Sequence, residues 1–336
     1  MYTEHYGLAE RPFQLTPDAR YWYESRTHKK AMAYLGYGLA QGEGFIVITG
    51  EIGAGKSTLV AHLMATIDRE RLNAISLVST QVEGDDMLRL AAQGLGLETG
   101  NVTKAQLLDR IEQRLREEAG RGKRTLLVVD EAQNLPVSAL EELRMLSNFT
   151  SQGRALIQIF LLGQPEFRDR VAGEDSLEQL RQRVIATHHL DAMEANEVEH
   201  YMIHRLAVAG WEGRPSFDQD SFSAVYRHSG GVPRKLNQLA NRLLLYAGVE
   251  RLETISADDV EAVAADMAAD RPASASKRVL PLRRPSIEPA GDVSMDRRIA
   301  AIEARLDEQE AAVRRVLTVL LDWVENESQP RRSNAA

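Results

Sequence analysis

The tightest constraint on this chain is an eight-residue run, Gly50-Glu-Ile-Gly-Ala-Gly-Lys-Ser57: a glycine, four residues, then Gly-Lys-Ser. Its flanks define its setting. Phe45 to Thr49 (FIVIT) is a short β-branched run that stops at the glycine, and Leu59, Val60 and Leu63 begin a helical apolar pattern behind it. Strand, glycine-rich loop and helix in that order let successive backbone N–H groups, together with the positive end of the helix, converge on a phosphate chain. Gly50, Gly53, Ala54, Gly55, Lys56, Ser57 and Thr58 are therefore predicted to cradle phosphates. In that arrangement Lys56 reaches the β and γ groups of ATP and the Ser57 hydroxyl ligates Mg²⁺.

Such a loop belongs at the edge of an open sheet, and the sequence supplies one. Further apolar runs stand at Ala74 to Val78, Leu126 to Val129, Leu156 to Leu162 and Val184 to His189, with helical segments between most of them. One of those helices opens at Thr103, where Gln106 completes a capping box ahead of Leu107, Leu108, Ile111 and Leu115, and it should end near Gly120. Strands alternating with helices predict an α/β fold of the P-loop type, a mainly parallel sheet with helices on both faces, over 1–191.

Past residue 192 the strand pattern disappears. Helical patterns over Glu197–Ala209, Gln219–Arg227, Lys235–Ala247 and Ala257–Ala268, the last opened by a Ser256/Asp259 capping box, predict a small all-helical lid domain over 192–269. Residues 270–295 carry Pro272, Pro281, Pro285 and Pro289 without periodicity and read as a disordered linker, locally basic through Lys277, Arg278, Arg283 and Arg284. Over 296–327, Ile299, Ile302, Leu306, Gln309, Val313, Val316, Leu320 and Trp323 form a heptad seam, the mark of a coiled-coil or amphipathic helix. Arg298 and Arg305 fall at g and Glu303 and Glu310 at e, which favours parallel self-association. Leu317, Val319 and Val324 widen the seam towards its end, which suits a larger bundle or a docking site; a helix folded back on its own domain is the other reading.

The composition narrows the chemistry. With no cysteine among 336 residues, disulfides, thiolate metal sites and cysteine nucleophiles are excluded. A net charge of −8 argues against a surface devoted to nucleic acid, without ruling out a local basic patch. No stretch reaches the roughly 18 apolar residues of a membrane span, and the N-terminus has no signal-peptide core, so the expectation is a cytoplasmic protein.

Leu126-Leu-Val-Val-Asp130-Glu131 then delivers two carboxylates to the C-terminal end of a strand, where open α/β sheets bind ligands. Asp130 is expected to hold the metal together with Ser57. Glu131, expected to alternate to the other face of the strand, is placed to polarise a water for attack on the γ-phosphate.

Gly50 to Ser57, VVDEAQ at Val128 to Gln133, LLGQPE at Leu161 to Glu166, LRQRV at Leu180 to Val184 and GGVPRKLN at Gly230 to Asn237 resemble AAA+ ATPases of the ExeA, or general secretion pathway protein A, group. The opening YGLAERPFQLTPD resembles that group's N-terminus, and the overall shape is most similar to the ATPase of the XrtA/PEP-CTERM exosortase system, found beside exopolysaccharide biosynthesis genes. The resemblance implies Gln164 as the sensor of the γ-phosphate or its attacking water. It implies Arg234 as the second sensor on the lid, with Pro233 setting the helix start that aims it. It implies Arg183, with Arg181 close enough to be confused with it, as the arginine finger inserted into a neighbouring subunit's site. The other reading for both arginines is a solvated helix end.

Tyr6, Phe13 and Tyr21 could surround an adenine, with His28 where the group often carries a histidine, although aromatics at such spacing are more often core. His188 and His189 read as structural. The ExeA-type proteins usually continue into a membrane span and a periplasmic peptidoglycan-binding domain, and neither pattern is seen here. The implied function is an oligomeric, ATP-driven switch or motor with envelope or polysaccharide-export partners, reaching the inner membrane through them. Its rivals are a DNA-associated accessory ATPase of the transposition or replication type, and a nucleotide-binding scaffold with little turnover.

Overall fold

The computed structural model describes residues 2–42, 44–78 and 83–270. Apart from Asp270, the linker expected at 270–295 and the heptad helix expected at 296–327 lie outside the described residues.

The chain opens with a short helix, α1 (Tyr2–His5), and a longer one, α2 (Arg26–Gln41), capped by the Ser25 hydroxyl, which accepts from the His28 amide. Strand β1 (Phe45–Gly50) runs into the glycine loop and helix α3 (Lys56–Thr66). Strand β2 (Leu72–Val78), helices α4 (Gly84–Gly94) and α5 (Lys104–Gly120), and strand β3 (Arg124–Asp130) follow. The capping box at Thr103 is present: its hydroxyl accepts from the Gln106 amide at 3.3 Å, and its own amide donates to the Gln106 side chain at 3.0 Å. Helix α6 (Val137–Leu146) leads through a small hairpin, β4 (Thr150–Ser151) and β5 (Arg154–Ala155), to strand β6 (Ile157–Gly163). Helices α7 (Pro165–Gly173) and α8 (Glu178–Arg181) then precede strand β7 (Val184–Leu190).

The five long strands form one parallel sheet in the order β2-β3-β6-β1-β7. Successive side chains alternate between its faces. Phe45, Val47, Leu127, Val129, Ile159 and Leu161 pack into the core containing residues of α4 to α8, while Ile46, Ile48, Leu126, Val128, Phe160 and Leu162 pack with residues of α2 and α3. Burial on both faces explains why the central strands read as unbroken apolar runs. The register sets Thr49 opposite Gly163 and His189, so β6 lies directly between the end of β1, with its glycine loop, and the end of β3, with its carboxylates.

Beyond the sheet come α9 (Ala195–Val208), a two-residue strand β8 (Ser216–Phe217), α10 (Gln219–Ser229), α11 (Pro233–Glu250), β9 (Thr254–Ile255) and α12 (Ala257–Ala269). The Ser256/Asp259 capping box is formed. The region is not wholly free of strand as expected, since Ser216 and Phe217 pair in parallel with Thr254 and Ile255; two residues are too few for period-two patterning to register.

A third core joins Val198, Met202, Leu206, Leu236, Leu243 and Val260 of these helices to Tyr2, Tyr6, Leu8 and Phe13 from the N-terminus. The Tyr2 hydroxyl donates to Asn241 Oδ1 and the Tyr6 hydroxyl to the Leu252 carbonyl, both at 2.8 Å. The N-terminal segment thus shares its core with the helical layer, and the described residues pack as one compact unit. Among the described residues no helix is long and apolar enough to cross a membrane.

Candidate nucleotide-binding site

The glycine loop leaves β1 at Gly50 and turns twice through the left-handed region, at Gly53 (φ +87°) and Gly55 (φ +100°), before α3 begins at Lys56. These conformations belong to glycine, and at Gly55 a β-carbon would also fall 2.6 Å from His28 Nε2. No side chain caps α3, so its first amides face the loop with the partial positive charge of a helix start. Lys56 is almost fully buried, and its ammonium donates to the carbonyls of Gly50 (2.6 Å) and Glu51 (3.1 Å). Burial lowers its pKa, opposed by the carboxylates of Glu131, Asp130, Glu51 and Glu166. Ala54 packs beneath the loop in the core under α2 and α3, and Thr58 lines the cavity above it.

Ser57 Oγ donates to Asp130 Oδ2 at 3.0 Å, joining the start of α3 to the end of β3. The separation of Asp130 from Glu131 arises differently from the expectation. Glu131 does not continue the strand and alternate; it turns into a left-handed backbone (φ +56°), a conformation costing about 1–3 kcal/mol for a side chain of its kind. That turn swings Glu131 onto the cavity wall, while Asp130 stays beneath with its Oδ1 accepting from the Glu131 amide at 2.9 Å.

Gln133, to which the sequence reading gave no role, holds this turn. Its Nε2 donates to Glu131 Oε2 at 2.5 Å, and its Oε1 accepts from the Gln164 amide at 3.0 Å. Gln164 therefore connects to Glu131 through its backbone; its side chain is not among those lining the cavity. The only signal for Gln133 in the sequence was its position two residues after the glutamate.

The facing wall comes from elsewhere in the chain. A cavity of about 300 Å³ lies between Ile52, Gly53 and Gly55 to Thr58 with Glu131 on one side, and residues 14–18, Tyr21 to Tyr23, α9 and α11 on the other. Arg234 lines it, and the Arg234 amide donates to the Gly53 carbonyl at 3.1 Å, so α11 touches the glycine loop directly. Of the N-terminal aromatics, Tyr21 borders the cavity, whereas Tyr6 and Phe13 are plain core, as their spacing favoured. Trp22, Tyr23, Tyr201, Arg205 and Asn237 also line it and were not foreseen, because no local pattern links residues so far apart in the chain.

His28 borders the same cavity, its Nδ1 2.7 Å from Ser25 Oγ and its ring edge-on to Trp22. Burial lowers its pKa to about 4, against the opposing pull of Glu197 and a hydrogen bond to the Gly55 backbone. His188 bonds to the Thr27 carbonyl and His189 to the Thr49 hydroxyl, tying β7 to its neighbours.

Arg183 lies at the opposite end of the sheet. Its carbonyl accepts from the Phe45 amide where β1 begins, and its guanidinium donates to the Ser147 hydroxyl at 3.1 Å. Arg181 is bound to Glu178 and to the carbonyls of Val171 and Ala172 at the end of α7. Neither arginine borders this chain's own cavity.

Residues 39–171 match the family described as the AAA domain. General secretion pathway protein A of Aeromonas hydrophila is 34% identical over 271 residues, which make up 81% of this chain and 49% of that protein; the chain thus spans about half the length of that relative. Among solved structures, Cdc6p from Pyrobaculum aerophilum has a TM-score of 0.59 at 14% identity, covering 76% of this chain and 70% of its own. The Aeropyrum pernix ORC2 protein in its ADPNP–ADP complexes has a TM-score of 0.56 at 15% identity, covering 76% and 71%. The Aeropyrum pernix ORC1 protein in complex with DNA has a TM-score of 0.56 at 14% identity, covering 77% and 69%. At such identities the likeness concerns the fold alone: the described chain has the parallel-sheet α/β fold of these P-loop AAA+ structures, and residues 39–171 match the AAA domain.

Proposed function

We propose that this protein binds ATP with Mg²⁺ and hydrolyses it. The observation that carries the reading is the contact between Ser57 Oγ and Asp130 Oδ2, 3.0 Å apart, beside a cavity lined by Lys56 and Glu131. Oxygen donors of this type suit Mg²⁺, and Ser57 and Asp130 would hold it; the ion, when bound, supplies positive charge to offset that of the phosphates. Lys56, now held by two loop carbonyls, exchanges them for phosphate oxygens. The uncapped amides of α3 hold the same groups. Glu131 accepts the proton of the attacking water, and Gln133 keeps that carboxylate in one orientation. Gln164 acts as a sensor through its amide, which shares the Gln133 side chain with Glu131, and Arg234 as a sensor from α11.

Arg183 is assigned as the finger for a neighbouring subunit's site, supported by its distance in the fold from its own cavity and by an anchorage to Ser147 weaker than the ion pair holding Arg181. Self-association into a ring or open oligomer follows from that assignment. The similarity to general secretion pathway protein A supports a switch or motor serving secretion or envelope export, with an XrtA/PEP-CTERM-type polysaccharide locus as its narrower form. A DNA-associated role, favoured by the likeness in fold to the ORC1 protein bound to DNA, is the alternative; a net charge of −8 weighs against it.

Phosphate release by wild type and by Glu131→Gln tests the chemistry. ATP uptake should persist in the variant while turnover falls by about 10²- to 10⁴-fold. Equal turnover removes Glu131 as the base, and a wild type that takes up no ATP in the presence of Mg²⁺ ends the proposal. Duplex binding that falls steeply with added salt would favour the DNA role.

A further inference from the structure

The wall opposite the glycine loop contains a buried cation that the proposed chemistry does not use. Arg205, on α9, is only 6% exposed and borders the cavity. Among the described residues it has no carboxylate partner. Its Nε donates to the Pro12 carbonyl at 2.7 Å, one terminal nitrogen to the Gln14 carbonyl at 3.3 Å, and the other to the Tyr201 hydroxyl at 3.3 Å. Its guanidinium carbon lies 4.6 Å from the centre of the Tyr21 ring. Tyr201 in turn donates to Asn237 Oδ1 at 2.8 Å, one helical turn beyond Arg234 on α11.

A buried arginine whose three nitrogens each donate to a main-chain carbonyl or a hydroxyl acts as a clamp, because moving any of these partners leaves a further charge-assisted donor unpaired in a poorly solvated place. What it clamps is the segment from Pro12 through Asp18. Gln14 to Asp18 form one side of the cavity, and Leu15, 52% exposed, is an apolar side chain left at its mouth. Arg205 also holds the Tyr21 ring through its π face. With phosphates on the glycine loop, this apolar and aromatic wall is what remains for the base.

We propose that Arg205 is the positioning residue for the nucleotide base. It holds the 12–18 segment and Tyr21 as the surface the base lies on, and through Tyr201 and Asn237 it links that surface to the helix bearing Arg234. The inference rests on the ATP-binding reading above.

Arg205→Met keeps the length of the side chain and removes the donors. KM for ATP should rise about tenfold or more, with kcat within about threefold of wild type. Inhibition by tripolyphosphate, which has no base, should be unchanged, whereas Lys56→Ala should weaken both ligands. Arg205→Lys, able to donate to fewer of the three partners, should fall between wild type and Arg205→Met. An unchanged KM in Arg205→Met overturns the proposal, as does an equal weakening of ATP and tripolyphosphate. If Arg205→Met does not fold, Leu15→Ser on the exposed mouth must raise KM for ATP with tripolyphosphate unaffected, and a wild-type KM there overturns it. A wild type that binds neither ligand overturns the ATP reading and this one together; binding of both with no Arg205 or Leu15 effect overturns this one alone.

Discussion

The two walls of the cavity are built by opposite strategies. The loop wall is drawn, apart from Glu131, from one run of nine residues, Gly50 to Thr58, which begins at the end of a fully buried strand and closes in the first turn of a helix, and most of its chemistry belongs to the backbone. The facing wall is gathered from residues 14–23, α9 and α11, more than 200 positions apart at the extremes, and is held by side chains reaching across those gaps. A contiguous wall depends on local conformation and tolerates little change in it. A dispersed wall depends on many moderate contacts and should weaken by degrees.

Gly55→Ala is the strongest test of that contrast. The substitution meets both an unfavourable φ of +100° and the His28 ring, 2.6 Å from the new carbon, in a place where neither can yield cheaply. Uptake of a fluorescent ATP analogue should be lost. Retention of near-normal affinity would mean that the loop is softer than a backbone cradle can be.

His28 stands where the two walls meet, and it gives the next largest effect. Its pKa of about 4 in the folded chain lies below the usual value of 6.5, so between those values the unfolded chain binds the proton that the folded one refuses. Stability should therefore be at its full value above about pH 6.5 and decline by up to roughly 3 kcal/mol as pH falls to about 4. Replacing His28 with Gln should flatten that decline in urea titrations run across the range. An equal slope in both proteins would assign the acid sensitivity to other groups.

The smallest effect belongs to the dispersed wall. Tyr201→Phe removes one hydroxyl between Arg205 and Asn237, and about 1–2 kcal/mol of stability should go with it, since both partners are buried. Loss of ATP-analogue uptake in Tyr201→Phe as complete as that expected of Gly55→Ala would show the facing wall to be as brittle as the loop and erase the distinction.

Much of this molecule was legible in the chain because much of it is local. The run FIVIT followed by GEIGAGKS carries its strand, its left-handed turns and its helix start in adjacent residues, and the capping boxes at Thr103 and Ser256 are four-residue events. The carboxylates were readable as a pair, but their geometry was not: nothing in Val-Asp-Glu-Ala announces that Glu131 adopts a left-handed backbone, which Gln133 and the end of β6 hold in place. Tyr6 and Phe13 show the same limit from the other side, since an aromatic at a given spacing looks alike whether it faces a ligand or a core.

By itself, then, the order of residues determined the alternation of strands and helices, the phosphate loop and the pair of acids, all of which depend on near neighbours and on period-two or period-3.6 burial. Only the tertiary structure decided that the N-terminal segment shares the core of the late helices, that Arg205 joins it to α9, and that Arg234 closes on Gly53. Those contacts cost chain entropy to bring together and are repaid only when three separate cores have formed, so no stretch of sequence short enough to read as a pattern contains them.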